Sequence, residues 1–255
     1  VAAAALVAVV AGGLGIAACE ALPSMSQVSP AAAPEPSRGP TRAPAARSGR
    51  TGKITYPATG SRKWRTAPAS KQTGGEHGML LRYRVVVESD IKGLAVRAFA
   101  DAVTATLDDP RGWTADGSLR LRRVGPGQAY DFTIYLATPR TRDRLCASST
   151  DAYTSCRNGD TVVLNVARWV KAVPGFGAPL ATYRQYMVNH EVGHRLGHGH
   201  ELCPGRGEPA PVMQQQTLGM HGCTANPWPY RQGKRYTATP GAYDDAVPAP
   251  DTGLR

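Results

Sequence analysis

Four of the six histidines in this 255-residue chain fall within eleven residues, His190-Glu191-Val192-Gly193-His194-Arg195-Leu196-Gly197-His198-Gly199-His200. His190 and His194 are four apart. On a helix they share a face, roughly 40° apart around the axis and about 6 Å along it, so both imidazoles can reach one ion. Glu191 follows the first histidine and stands where a carboxylate can take a proton from a water on that ion. A hydrolytic zinc takes three protein ligands and keeps one position open, whereas a structural zinc is usually closed by four, often Cys. His200 would lie about 15 Å along the axis from His190 if the helix ran on. Gly197 removes that obstacle, because glycine accepts the left-handed conformation that ends a helix and lets the chain turn back. His198 is the competitor, but it follows Gly197 at once and has little room to return. The spacing therefore predicts Zn2+ held by His190, His194 and His200, with Glu191 as general base. His77, His198 and His221 read as ordinary polar residues.

The elements that must position these residues show in the patterning. Pro179 opens a helix through the motif to Gly197, with Val188, Val192 and Leu196 as its buried stripe. Upstream, residues 80–89 (LLRYRVVVES) alternate and are β-branched, which predicts a strand. Residues 93–107 carry Leu94, Val96, Phe99, Val103 and Leu107 at helical spacing. Residues 118–124 and 129–138 read as strands joined through Gly125-Pro126-Gly127, and residues 160–169 as another. Residues 138–160 read as an irregular edge, and the last 30 residues, rich in Pro and Gly, as surface coil. A strand–helix–strand start favours parallel pairing. The expected class is α/β (α+β): an open twisted mixed sheet carrying the active-site helix, preceded by a disordered linker.

Residues 1–18 are apolar, uncharged and end in Ile16-Ala17-Ala18-Cys19. A small-residue site after an apolar run reads as an export signal. Ile-Ala-Ala-Cys also resembles the bacterial lipobox, which implies acylation of Cys19; an uncleaved membrane anchor and a simple secretory signal are the alternatives. Each puts the rest of the chain outside the cytoplasm. Residues 20–75 are dominated by Pro, Ala, Ser, Arg, Thr and Gly and read as an extended tether, leaving residues 76–255 as the domain. The chain carries +11. Nine Lys/Arg against Glu20 and Glu35 place +7 in residues 1–75, so the expected domain is only mildly basic. With no zinc knuckle, phosphate loop or aromatic–basic motif, no nucleic-acid partner is expected. Cys146, Cys156, Cys203 and Cys223 form an even set and allow three pairings. Cys146–Cys156 and Cys203–Cys223 close the shortest loops and are favoured.

The spacing HExxHxxGxxH, filled by His190, Glu191, His194, Gly197 and His200, resembles the metzincin clan of zinc metallopeptidases. That resemblance implies a zincin fold and a Met-turn beneath the metal, for which Met213 in Pro211-Val212-Met213 is the better candidate and Met220 the weaker. Cys203 and Cys223 bracket Met213, as in the secreted snapalysins, whose third ligand is Asp where this chain has His200. Asp109-Pro110-Arg111-Gly112-Trp113, Cys156-Arg157-Asn158-Gly159-Asp160, the histidine run and His221-Gly222-Cys223 also resemble an actinobacterial exported family catalogued as a domain of unknown function. A tyrosine assists the oxyanion in some metzincins; Tyr230 and Tyr236 are nearby in sequence, and no spacing singles either out. The expected activity is hydrolysis of a peptide or protein substrate by a monomer at the outer side of the cell membrane, with the substrate strand laid along the edge near residues 146–160. A catalytically silent zinc-containing envelope binding protein is the alternative, and hydrolysis of a non-peptide amide in the wall is a third.

Overall fold

The structure, a computed structural model, describes residues 52–147 and 151–255. The first eighteen residues, Cys19 and the tether up to residue 51 lie outside the described residues. The protein is α+β, with one twisted mixed sheet and a few helices.

Residues 52–75, expected as linker, instead belong to the folded domain. They contribute β1 (Tyr56–Pro57) and β2 (Trp64–Thr66). Joining a sheet edge requires backbone hydrogen bonds more than large side chains, so composition hides such segments. Here a few anchors suffice. Tyr56 and Ala67 are buried, Trp64 meets the edge of Tyr135 at 4.8 Å, and the Ala67 amide donates to Val85 O.

The central strand is β3 (Met79–Glu88), whose alternation sends Tyr83, Val85 and Val87 into the core. Helix α1 (Val96–Leu107) follows and buries Phe99, Val103 and Leu107. β4 (Leu119–Arg123) then returns parallel to β3, as the strand–helix–strand order predicts. β4 and β5 (Phe132–Ala137) do not pair with each other. Tyr83 of β3 is matched to Arg123 of β4 and to Phe132 of β5, so the two strands flank it.

Beyond β5 the chain holds more helix than expected. α2 (Pro139–Cys146) occupies part of the predicted irregular stretch. Its buried residues include Thr141 and Arg142, so it shows no apolar stripe in sequence. β6 (Cys156–Asn158) runs antiparallel to β7 (Thr161–Asn165), which is parallel to β5. The predicted strand over residues 160–169 ends at Asn165, whose side chain accepts from the Ala167 amide and starts α3 (Val166–Lys171). α4 (Leu180–Arg195) is the motif helix, with Pro179 at its N-cap. Tyr183 and every residue from Tyr186 to Gly193 of α4 are buried, as befits a helix covered on several sides.

The sheet order is β2-β3-β5-β7-β6, with β4 beside β3 on the same edge as β2. β6 is therefore the far edge. The C-terminal stretch has no helix but is not loose coil. β8 (Tyr230–Arg231) and β9 (Lys234–Arg235) form a hairpin, and β10 (Gly253–Leu254) pairs with β1. Asp251 fastens it to Lys171 at 2.8 Å and Arg168 at 3.5 Å. Disulfides join Cys146 to Cys156 and Cys203 to Cys223, the two short-loop pairings, and such bonds belong to oxidising surroundings. Among the described residues no helix is long and apolar enough to cross a membrane.

Candidate metal centre

α4 carries His190, Glu191 and His194 on one side and ends where the sequence says it must. Leu196 is the C-cap and Gly197 follows at φ +95°. The Gly197 amide donates to His194 O at 3.1 Å and the His198 amide to Gly193 O at 3.0 Å, the paired bonds of a Schellman cap. Any residue with a Cβ is strained at that φ, so glycine is what lets the chain reverse.

The reversal returns His200 to the helix. Its Nε2 lies 3.0 Å from His194 Nε2, which is 3.2 Å from His190 Nε2. One ligand atom from each ring falls within 4.8 Å of the others, a group that can hold a metal ion. His198 does not join them. Its ring stacks on Trp113 with centroids 4.5 Å apart, and its carbonyl serves the site by accepting from His194 Nδ1 at 2.8 Å. His190 Nδ1 likewise faces Val212 O at 2.9 Å. A carbonyl only accepts, so both rings carry hydrogen on Nδ1 and turn an Nε2 lone pair inward.

Burial keeps these rings neutral. It lowers the pKa of His190 well below the usual histidine range, with His194 and His200 adding to the effect. Burial and the His194 ring bring His200 down to about 4. His194 is lowered by burial, partly offset by its bond to His198 O, with Arg157 lowering it further. Neutral imidazoles are the protonation state a metal requires. Glu191 is buried, which pushes its carboxyl up to about 8; nearby Arg142 opposes this and Asp151 adds to it. Its Oε2 is buried with no hydrogen-bond partner among the described residues.

Met213 is fully buried under this arrangement. Gly193 passes so close that a Cβ there would lie 2.5 Å from Met213 Sδ and 2.6 Å from Trp113 Cζ2. The turn holding Met213 is built on buried amides. Gln216 donates to Pro211 O and Asn226 O, and Asn226 donates to Ala210 O and Trp228 O. The Cys203–Cys223 disulfide spans this loop.

The cleft over the three histidines has a volume of about 540 Å³. Arg142, Asp151, Arg157, Tyr186 and Gln215 line it beside the motif, and Val247 closes one side from the C-terminal segment. Arg142 is 3.0 Å from Asp151 and 2.7 Å from Thr154 Oγ1, so it ties α2 to the segment before β6. Tyr230 and Tyr236 are not in the cleft. Their hydroxyls donate to Asp116 at 2.8 Å and to Pro209 O at 2.8 Å. Tyr186 is there instead, but its hydroxyl is bonded to Gln214 O. Sequence reasoning assigned no role to Trp113, which donates from Nε1 to Asn189 O at 2.9 Å and braces α4. Its signal was the Asp-Pro-Arg-Gly-Trp motif.

Residues 51–231 match the family described as "Protein of unknown function (DUF3152)". No curated protein matches the chain, and no solved structure does.

Proposed function

The chain belongs to the DUF3152 family, whose description carries no activity, and from the site itself we propose that it is a zinc-dependent peptidase acting outside the cytoplasm. The observation that carries this reading is the trio of inward-facing Nε2 atoms beside a glutamate oxygen that has no hydrogen-bond partner among the described residues. Tetrahedral zinc with Zn–N bonds of about 2.0–2.1 Å separates its nitrogens by about 3.3 Å. The 3.2 and 3.0 Å spacings here fit that ion with little movement. The resemblance of the motif and its buried methionine to metzincins points to the same chemistry.

Zinc, when bound, supplies a Lewis acid that activates water and polarises a carbonyl. His190, His194 and His200 would hold it, and their carbonyl partners keep the rings aimed. Glu191 accepts the proton of the attacking water and hands it to the departing amine. Arg142 and Asp151 fix the wall beside Glu191. The outer edge of β6 offers backbone groups to an extended peptide, which would add a strand to the sheet next to the metal. The two disulfides support a location beyond the cytoplasm. The apolar residues 1–18 and Cys19 support export with a lipid or membrane anchor.

The test is Glu191→Gln against the parent protein. The variant should bind one zinc per chain and lose ~10²–10⁴-fold in peptide-library cleavage read by mass spectrometry. Unchanged turnover would remove Glu191 from the mechanism. A zinc-loaded parent that cleaves no peptide and no wall amide would mark a binding protein that keeps the site.

A further inference from the structure

The sheet has one side packed by α1, α3 and α4, but its outer side is only half covered. α2 packs there with Tyr135, Val163, Trp64 and Cys156. The β3–β4 half of that side carries arginines. Arg82 is matched to Arg122 across the parallel pair, and Leu80 to Arg120. Arg84 is matched to Thr133. Strand alternation puts Arg82, Arg84, Arg120 and Arg122 on one face, opposite the core residues Tyr83, Val85 and Leu121. Arg82 and Arg122 are exposed and the other two half-buried. Like charges set side by side on a sheet repel. Among the described residues, the salt bridge recorded for these four is Arg82 to Asp131 at 3.6 Å. Arg84 bonds to Thr133 Oγ1 and lies over the Tyr130 ring, and Arg120 bonds to Gly78 O. Exposed Lys71 sits on the segment that bridges to β4 through Gly74.

An exposed aromatic ring borders the same patch. Tyr130 precedes β5 at 44% exposure and lies under the Arg84 guanidinium, whereas Met79, 64% exposed at the start of β3, alternates with Tyr83 and Val85 onto the other face. Val247, in the cleft, is the other large hydrophobic exposed to this degree among the described residues. The balance of the domain supports the patch. Four of the 30 Lys/Arg and two of the 19 Asp/Glu precede residue 52, so the remainder carries +9. The domain is thus more basic than a boundary at residue 76 implies.

We propose that this open half-sheet is a docking surface for an anionic membrane. A bilayer rich in acidic lipid presents a flat negative plane to the arginines and an interface that takes up the Tyr130 ring. A soluble polyanion would satisfy the charge but gain nothing from that ring. β6, beside the cleft, is at the opposite edge of the sheet from β4, so docking here leaves the cleft open. The inference does not depend on peptidase activity.

The test uses the full chain and vesicles of phosphatidylcholine, alone or mixed with phosphatidylglycerol, with binding read by co-sedimentation. The N-terminal segment is common to every variant, so differences report the face. Replacing Arg82, Arg84, Arg120 and Arg122 by Gln should lower affinity for the anionic vesicles at least ~10-fold and leave neutral vesicles unaffected. The four Arg→Lys replacements should keep binding. Tyr130→Ser should lower it at least ~3-fold at unchanged charge. If the four-Gln protein does not fold, Arg122→Glu alone, at an exposed position, should weaken anionic binding at least ~3-fold. A folded four-Gln variant, or a folded Arg122→Glu in its place, that binds anionic vesicles as the parent does would overturn the proposal. So would equal affinity for polyphosphate that ignores the Tyr130 change, which would make the face a general polyanion site.

Discussion

His190 and Val212 are joined by a 2.9 Å hydrogen bond from Nδ1 to the backbone carbonyl, across 22 residues of sequence. The next residue is Met213, whose carbonyl accepts from the Glu201 amide at 3.2 Å. One turn therefore orients the first histidine and steadies the strand of chain that delivers the third. The buried methionine is the packing core of that turn and the metal group is its product.

The placement of His198 against Trp113 separates two histidines that are two residues apart. His200→Ala should lower zinc affinity ~100-fold or more, because it removes a ring from the cluster. His198→Ala should bind zinc within a few-fold of the parent, since its backbone carbonyl remains for His194. Competition with a chromogenic chelator measures both. Equal losses would mean that the ring of His198 has a ligand role.

Gly193 is a helical position where alanine would ordinarily gain about 1 kcal/mol. The closeness of Met213 and Trp113 reverses that expectation, because both neighbours are buried and the added Cβ has no space. Gly193→Ala should destabilise the zinc-free protein by about 1–3 kcal/mol in urea unfolding. A neutral or stabilising result would mean that the Met213 turn yields easily.

The three-histidine group was legible because local rules govern it: helical spacing, residue chemistry and a glycine stop. The disulfides were legible from loop length. β2 was not, since a strand that joins an existing edge needs little side-chain signal, and neither was β1, a two-residue strand whose partner β10 lies at the other end of the domain. α2 was hidden because its buried face includes Arg142 and Thr141, which satisfy Asp151 and Glu88 rather than an apolar core. Trp113 lies 76 residues from Asn189, the residue it braces, and no spacing rule reaches that far.

Cys203 and Cys223 close a loop of sequence separation 20 around the Met213 turn. Replacing both by Ser should cost about 3 kcal/mol of stability by the chain-entropy account. The Gln216 and Asn226 bonds stay in place, so the folded variant should still bind zinc. Thermal melts and metal titration read the two effects separately. Loss of zinc binding in a folded variant would show that the disulfide itself shapes the site.

Asp108 caps α1 at its C-terminal end, where the helix dipole disfavours an anion. Its Oδ1 is buried without a hydrogen-bond partner among the described residues. Burial raises its pKa from 3.8 to about 6, against a smaller lowering by Arg123. The folded state thus holds the proton more tightly than the unfolded chain. The stability linked to that proton is fully present below pH 3.8, falls as pH rises, and is gone above about 6. Asp108→Asn abolishes this dependence. Its gain over the parent should be near zero at the acid end of that window and grow to about 1 kcal/mol at neutral pH, after discounting for partial solvent screening. Paired urea titrations of the two zinc-free proteins across the window measure the difference, in which the other titrating groups cancel. A gain of the same size at both ends of the window would assign the effect to helix capping by Asn rather than to the buried charge.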